Sequence, residues 1–309
     1  MNKKWSYPLS AVVLGSALLL SGCGDSEANK EAKKTEAAQP AKPAVADKPT
    51  DKPAEKAVEK PAAANDAAPN LNVSIDQYRK WVIEQTDQLV KSTESFTKAV
   101  KAGDIEAAKK QYAPARAYYE RIEPIAESLG DFDPWIDARE GDVPDNEWRG
   151  YHKLEKALWE TKSLAGQDKV ADQLLQDVKQ LRVKVESVEI DAKLLVTGAV
   201  ELLNEVSSSK VTGEEERYSR TDLYDFAANV EGANEIFKVL KASVEKKDAA
   251  LSQEIETRFG ELDKALTPYR KDKDYVLYSD LKEDQIKKLS QALDALAEPL
   301  SKMGTILGG

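Results

Sequence analysis

Asp104–Leu129, DIEAAKKQYAPARAYYERIEPIAESL, decides the fold class. Apolar or small residues recur at Ile105, Ala108, Tyr112, Ala115, Tyr119, Ile122, Ala126 and Leu129. These steps of three and four place them on one face of a helix, as along the seam of a bundle. Pro114 and Pro124 fall inside the pattern and are expected to bend the helix or open its hydrogen bonding.

The same period extends outward in both directions. Upstream, Ile75, Tyr78, Val82, Leu89, Phe96 and Val100 form one face of a helix ending near Gly103, and Ser74 with Gln77 has the spacing of a capping box at its start. Downstream, amphipathic stretches are expected over about 148–162, 168–188, 191–206, 222–244, 249–266 and 282–303, with no convincing alternating strand. Residues 131–150 hold five aspartates and little periodicity, and read as a loop over the end of the bundle. The expectation is one all-α domain over residues 71–309, built as two packed four-helix layers or an extended bundle.

The first 70 residues follow a different rule. Lys3 and Lys4 precede an apolar run from Leu9 to Leu20 that is too short to span a bilayer, the pattern of an export signal over residues 1–22. The run ends Leu20-Ser21-Gly22-Cys23, which resembles the bacterial lipobox, so Cys23 is expected to be lipidated and to hold the mature chain outside the cytoplasm on a membrane. Cys23 is also the sole cysteine, which excludes a disulfide framework and thiolate sites. Residues 24–70 are rich in Ala, Lys, Glu, Asp and Pro without an aromatic side chain, the composition of a disordered tether spanning roughly 40 Å. The formal net charge of −10 argues against nucleic acid as a partner and suits attraction of cations.

The chain has a single histidine, His152. On a helix it shares a face with Trp148, Glu155 and Trp159, beside a core stripe of Tyr151, Leu154 and Leu158. Spacing alone leaves two readings open: a packed histidine bonded to its own i+3 glutamate, or a metal ligand. Glu120 and Glu123 form a second i, i+3 pair, and the 131–150 segment adds Asp137, Arg139 and Glu140. One imidazole with several carboxylates is a hard ligand set, suited to ferric or ferrous iron, manganese or zinc and not to copper(I).

The segments KAGDIEAAKKQYAPARAYYERIEPIAE, IDARE, GYHKLEKALWE and VTGEEERYSRTDLYDFAANVEGA occur in that order over residues 72–306, and together they resemble the imelysin-like domain of the EfeO/EfeM family. Gly150-Tyr151-His152-Lys153-Leu154-Glu155 matches the family's Gly-x-His-x-x-Glu core. The resemblance implies an all-helical bilobal fold with a metal site in a cleft between lobes. It implies His152 and Glu155 as ligands, with Glu120, Glu123 and Asp137 as acidic partners. Glu215 is a further candidate, although Glu214 and Glu216 offer the same chemistry beside it. Arg217 and Arg220 would either neutralise the acidic site or serve structure alone.

The same resemblance implies an extracytoplasmic iron-binding component that passes ferric or ferrous iron to a membrane permease, with a haem peroxidase as companion and zinc or copper as other metals it would take. A cupredoxin domain found in part of the family has no counterpart here, which corresponds to the short EfeM type. Two other functions compete. A metallopeptidase of the His₂Glu type needs two histidines where this chain has one, so the chain is read as a binding protein and not an enzyme. Recognition of an acidic polysaccharide such as alginate requires a basic cleft, which the acidic candidate site opposes.

Overall fold

The structure, a computed structural model, describes residues 71–208 and 210–307. The expected signal segment, Cys23 and the tether lie outside the described residues. The described chain is helical almost throughout. In order it forms α1 (Leu71–Lys101), α2 (Ile105–Ile122), α3 (Phe132–Ile136), α4 (Tyr151–Trp159), α5 (Asp168–Lys184), α6 (Ala192–Ser208), α7 (Asp222–Lys247), α8 (Ala249–Leu266) and α9 (Glu283–Leu307).

Apolar seams form these helices and set what they pack against. In α1 the buried residues Tyr78, Val82, Thr86, Leu89, Thr93, Phe96 and Val100 follow steps of three and four, and the buried threonines return their hydroxyl protons to carbonyls one turn back. Leu289, Leu293, Leu296, Leu300 and Met303 repeat the spacing in α9. Helices α1, α2, α4 and α5 make one group, and α6, α7, α8 and α9 make the other. α7 packs on α1 and α2 as well as on α6 and α8, so it is the shared wall between the groups. Its buried residues lie on nearly every side.

Local readings need four corrections. Helix α1 begins at Leu71, before Ser74, and the Ser74 hydroxyl donates to the Val239 carbonyl on α7 at 2.5 Å, so it is an interhelical bond and not a cap. Pro114 sits within a continuous α2, whereas at Pro124 the α-helix gives way to a 3-10 segment, Glu123–Leu129. The 131–150 segment is not wholly loop, since Phe132–Ile136 forms the short α3. A two-residue antiparallel hairpin, Arg270–Lys271 with Asp274–Tyr275, also interrupts the helical run.

Two close backbone approaches shape the region around His152. Gly150 has φ 90°, and a Cβ there would meet the Ile136 carbonyl and come within 2.9 Å of that of Trp135, so α3 abuts the start of α4 only because this position has no side chain. Gly198 lets α6 lie against the Pro124 carbonyl in the same way. Arg149 stacks on Trp135 at 4.5 Å and pairs with Asp177 of α5 at 3.2 Å, fixing α3 from its other side.

Candidate metal centre

Helix α2 presents Tyr112, Arg116 and Glu120 in one line, all fully buried. Spacing of four puts them on a single face, and the small residues Ala113, Ala115 and Ala117 beside them leave room for a long side chain. Helix α4 brings His152 and Glu155 from the opposite side. The rings of Phe96, Tyr112 and Tyr151, with centroids 5.7–6.0 Å apart, fix that junction. Asp137 is the C-cap of α3. Glu215 and Glu216 come from the segment between α6 and α7, and Asp222, Asp225 and Asn229 form a polar stripe on α7.

Glu155 is fully committed. Its Oε1 accepts the backbone N–H groups of Tyr218 at 2.9 Å and Ser219 at 2.7 Å, and its Oε2 faces His152 Nδ1 at 3.1 Å. With the Nδ1 proton donated to this carboxylate, Nε2 points the other way. There it lies 3.4 Å from Glu215 Oε1 and 3.7 Å from Asp137 Oδ1, and it makes no hydrogen bond. Ligand atoms of Asp137, His152 and Glu215 all fall within 4.8 Å of one another. Ions bound at about 2.0–2.2 Å separate neighbouring ligand atoms by roughly 3–3.5 Å, so this triangle is close to the size a transition metal requires. A second group, His152, Glu155 and Glu216, also meets the spacing; Arg116 pairs with carboxylates of both groups, but in the second Glu155 also accepts two backbone amides and Glu216 also accepts from Tyr112 and Ser219.

The structure separates the six candidate ligands into three sets. Asp137, His152 and Glu215 converge. Glu155 stands behind His152 and orients it. Glu120 and Glu123 do lie together as their spacing implies, but around a cation of the protein itself. Lys210 Nζ is 3.2 Å from Glu120 and donates to Glu123 at 2.6 and 2.8 Å, while Asn229 Nδ2 donates to both carboxylates.

Sequence reasoning missed the two buried cations. The Arg116 guanidinium has no exposed surface and reaches Glu120 at 2.5 Å, Glu215 at 3.0 Å, Glu216 at 2.8 Å and Asp225 at 3.4 Å, besides pairing with Asp137. Arg116 and Lys210 take the neutralising role considered for Arg217 and Arg220, which instead donate to the backbone carbonyls of Glu140 and Gly213. Glu140 pairs with Lys156 and Tyr218, away from the triangle. Trp148 precedes α4, donating to the Ala138 carbonyl, and Trp159 packs on Tyr112, so the aromatic residue beside the imidazole is Tyr112, its hydroxyl 3.4 Å from Nδ1.

Charge in this region is unbalanced. Glu120, Glu155, Glu215, Glu216, Asp222 and Asp225 are buried against two buried cations, and such an excess must be met by protons or by a bound cation. Burial and the Glu155 charge raise Glu216 to about 8, and burial raises Asp222 to about 6. Burial together with the charges of Glu216 and Glu120 holds Asp225 well above the ordinary range despite Arg116. Glu215 goes the other way: burial pushes it up, but Lys210, the adjacent His152 and Arg116 outweigh this and keep it well below. Burial and Arg116 depress His152, and its bond to Glu155 together with the adjacent Glu215 and Glu216 carboxylates more than reverse them, to about 9. A metal arriving at Nε2 must therefore displace a proton.

Asp137 and Glu215 also form the inner wall of a cavity of about 430 Å³. Among the described residues, seven carboxylates and two cationic side chains line it, so the opening that leads to the triangle is acidic.

Comparison with known proteins supplies the context. The family model described as Imelysin, labelled a peptidase, matches residues 74–303. An Efem/EfeO family lipoprotein of Staphylococcus haemolyticus is 40% identical over 96% of this chain and 98% of its own length. One from Staphylococcus aureus is 46% identical over 74% of this chain and 83% of its own. The iron uptake system component EfeM of Bacillus subtilis is 46% identical over 78% of this chain, which spans 63% of that protein. The chain therefore belongs to the imelysin family, in the group whose members carry the names EfeM and EfeO.

Proposed function

We propose that this protein is the extracytoplasmic iron-binding component of an Efe-type uptake system. It takes iron as cargo on His152 Nε2, Asp137 and Glu215 and delivers it to a membrane permease, with a haem peroxidase as companion. The observation that carries this reading is the buried Nε2 that makes no hydrogen bond and faces two carboxylates at metal-ligand spacing. Glu155 holds the Nδ1 proton, so Nε2 is the nitrogen that gives up its proton to a metal. Arg116 and Lys210 hold the surrounding carboxylates together between loads. Glu120 and Glu123 act as partners of those cations and not as primary ligands.

Relatives named as lipoproteins support an anchor at Cys23, with residues 1–22 removed and residues 24–70 as the tether. Among the described residues no helix is long and apolar enough to cross a membrane. The peptidase label of the family does not extend to this chain in our reading, because a catalytic His₂Glu zinc set cannot be assembled from one histidine. The acidic cavity likewise opposes a polyanionic polysaccharide. Titration of the purified protein with iron tests the proposal. His152→Ala and Glu215→Gln should each weaken binding at least about tenfold, roughly 1.4 kcal/mol, and parent-like affinity in both would refute it.

A further inference from the structure

Arg116 uses the same oxygen atoms that a metal in the triangle would need. Its Nη2 donates to Glu215 Oε1 at 3.0 Å, and that oxygen is the one 3.4 Å from His152 Nε2. Its Nη1 pairs with Asp137 Oδ1, the oxygen 3.7 Å from Nε2. A carboxylate oxygen has lone pairs for two partners, so the conflict is one of charge and not of valence. A guanidinium and a metal cation that share two oxygens stand close together, and between buried groups their repulsion is weakly screened. Arg116 cannot give up its charge. It has to turn away as a cation loads.

The surroundings decide where it turns. Only Nη2 makes aligned hydrogen bonds, to Glu120 and Glu215, while Nε and Nη1 face carboxylates without one. Glu120 keeps Lys210 and Asn229 if Arg116 leaves it, and Glu216 already accepts from Tyr112 and Ser219. Asp225 differs from both. It is 1% exposed, its Oδ1 lies 3.4 Å from Arg116 Nε, and among the described residues neither of its oxygens accepts a hydrogen bond. A buried carboxyl group in that condition is costly. It meets the Nε edge of the guanidinium, whereas the ligand oxygens of Asp137 and Glu215 meet the terminal nitrogens. It also stands on α7, the wall shared by the two helix groups.

We propose that Asp225 is the acceptor for Arg116 in the loaded protein: when a metal cation takes Asp137 and Glu215, the guanidinium leaves those oxygens and bonds to the Asp225 carboxylate. Asp225 is then a positioning residue, acting on the cargo only through Arg116. The inference rests on the triangle as the binding site and adds an exchange of one cation for another. Arg116 compensates the ligand carboxylates while the site is empty, and Asp225 compensates Arg116 once it is full.

Asp225→Asn keeps the size of the side chain and removes its charge. Zinc titration by calorimetry, with melting of the metal-free protein in chelator measured alongside, tests the proposal. The variant should bind zinc at least about tenfold more weakly than the parent, because Arg116 has no carboxylate to turn to. Its metal-free form should melt within about 2 °C of the parent or higher, since Asp225 accepts no hydrogen bond there; a residue that only supported the fold would lower it. Crystals of the zinc-loaded parent should show Arg116 bonded to Asp225 and no longer to Asp137 and Glu215. Zinc affinity within about twofold of the parent, a metal-free form that melts lower than this, or a loaded structure with Arg116 still on both ligand oxygens would each overturn the proposal. His152→Ala separates it from the reading beneath it. If that variant binds zinc like the parent, the triangle is wrong and the exchange falls with it; if it loses zinc while Asp225→Asn does not, only the exchange is wrong.

Discussion

Replacing Glu155 by glutamine changes no side-chain length and almost no volume, yet it should disable the site. Glu155 accepts three hydrogen bonds, from the Tyr218 and Ser219 amides and from His152 Nδ1. A glutamine has one acceptor oxygen and one amide nitrogen. If the oxygen stays with the two backbone amides, the NH₂ group faces Nδ1, which must then accept, and the proton moves to Nε2, where the metal should bind. If the amide turns over to satisfy Nδ1–H, its NH₂ opposes two buried N–H donors. With metal on Nε2 the imidazole proton must return to Nδ1, so either arrangement then leaves at least one buried mismatch, costing about 1–3 kcal/mol, or roughly 10- to 100-fold in metal affinity. Because His152 is the only histidine, nitrogen-15 NMR of the imidazole gives one assignable pair of signals. With zinc as a diamagnetic probe, the parent should show metal on Nε2 and a proton on Nδ1. A Glu155→Gln protein that binds metal within about twofold of the parent, or a parent metallated at Nδ1, would refute the reasoning.

Three further outcomes follow from the structure. Gly150→Ala should cost about 2–4 kcal/mol, from positive φ and collision with the Ile136 carbonyl, and should also weaken metal binding as Asp137 moves from His152; a variant with parent-like melting and affinity would contradict this. Stability of the metal-free protein should fall as pH rises from about 5 to 9: Asp222 and Glu216 have folded pKa values raised to about 6 and about 8, so their contribution is complete below their unfolded values and lost as pH passes the folded ones. His152, raised to about 9, acts in the same sense, and melting curves in chelator that climb steadily over this range would show the assignment to be wrong. Cys23→Ala should yield a soluble form or an uncleaved precursor, and unchanged fractionation with membranes would exclude the anchor.

The helices were legible because their seams are long and regular, as in α1 and α9, where burial follows the apolar steps residue by residue. The imidazole and its glutamate were legible for the same reason, being i and i+3 on a helix whose neighbours Tyr151, Leu154 and Leu158 are core. What periodicity conceals is a buried charge. Arg116 sits on a helix with an ordinary apolar seam and reads as solvated, and only the run of small residues around it signals that a long side chain has been given space inside. Asp222, Asp225 and Asn229 carry a clearer signal, a polar stripe at helical spacing on the most buried helix of the chain. Lys210 lies in a short 3-10 turn with no periodicity to place it. The strength of Glu215 over its two neighbours depends on the path of the 213–221 segment, which the Glu155 carboxylate fixes through backbone amides that no side-chain pattern reports.

The most direct test of the central claim is anomalous diffraction from crystals of the protein loaded with iron, recorded on both sides of the iron absorption edge. The account requires one strong peak about 2.0–2.3 Å from His152 Nε2 and from carboxylate oxygens of Asp137 and Glu215, with Glu155 still bonded to Nδ1 and Lys210 still between Glu120 and Glu123. A peak between Glu120 and Glu123 with Lys210 displaced, or on Nδ1 with Glu155 and Glu216, would contradict it.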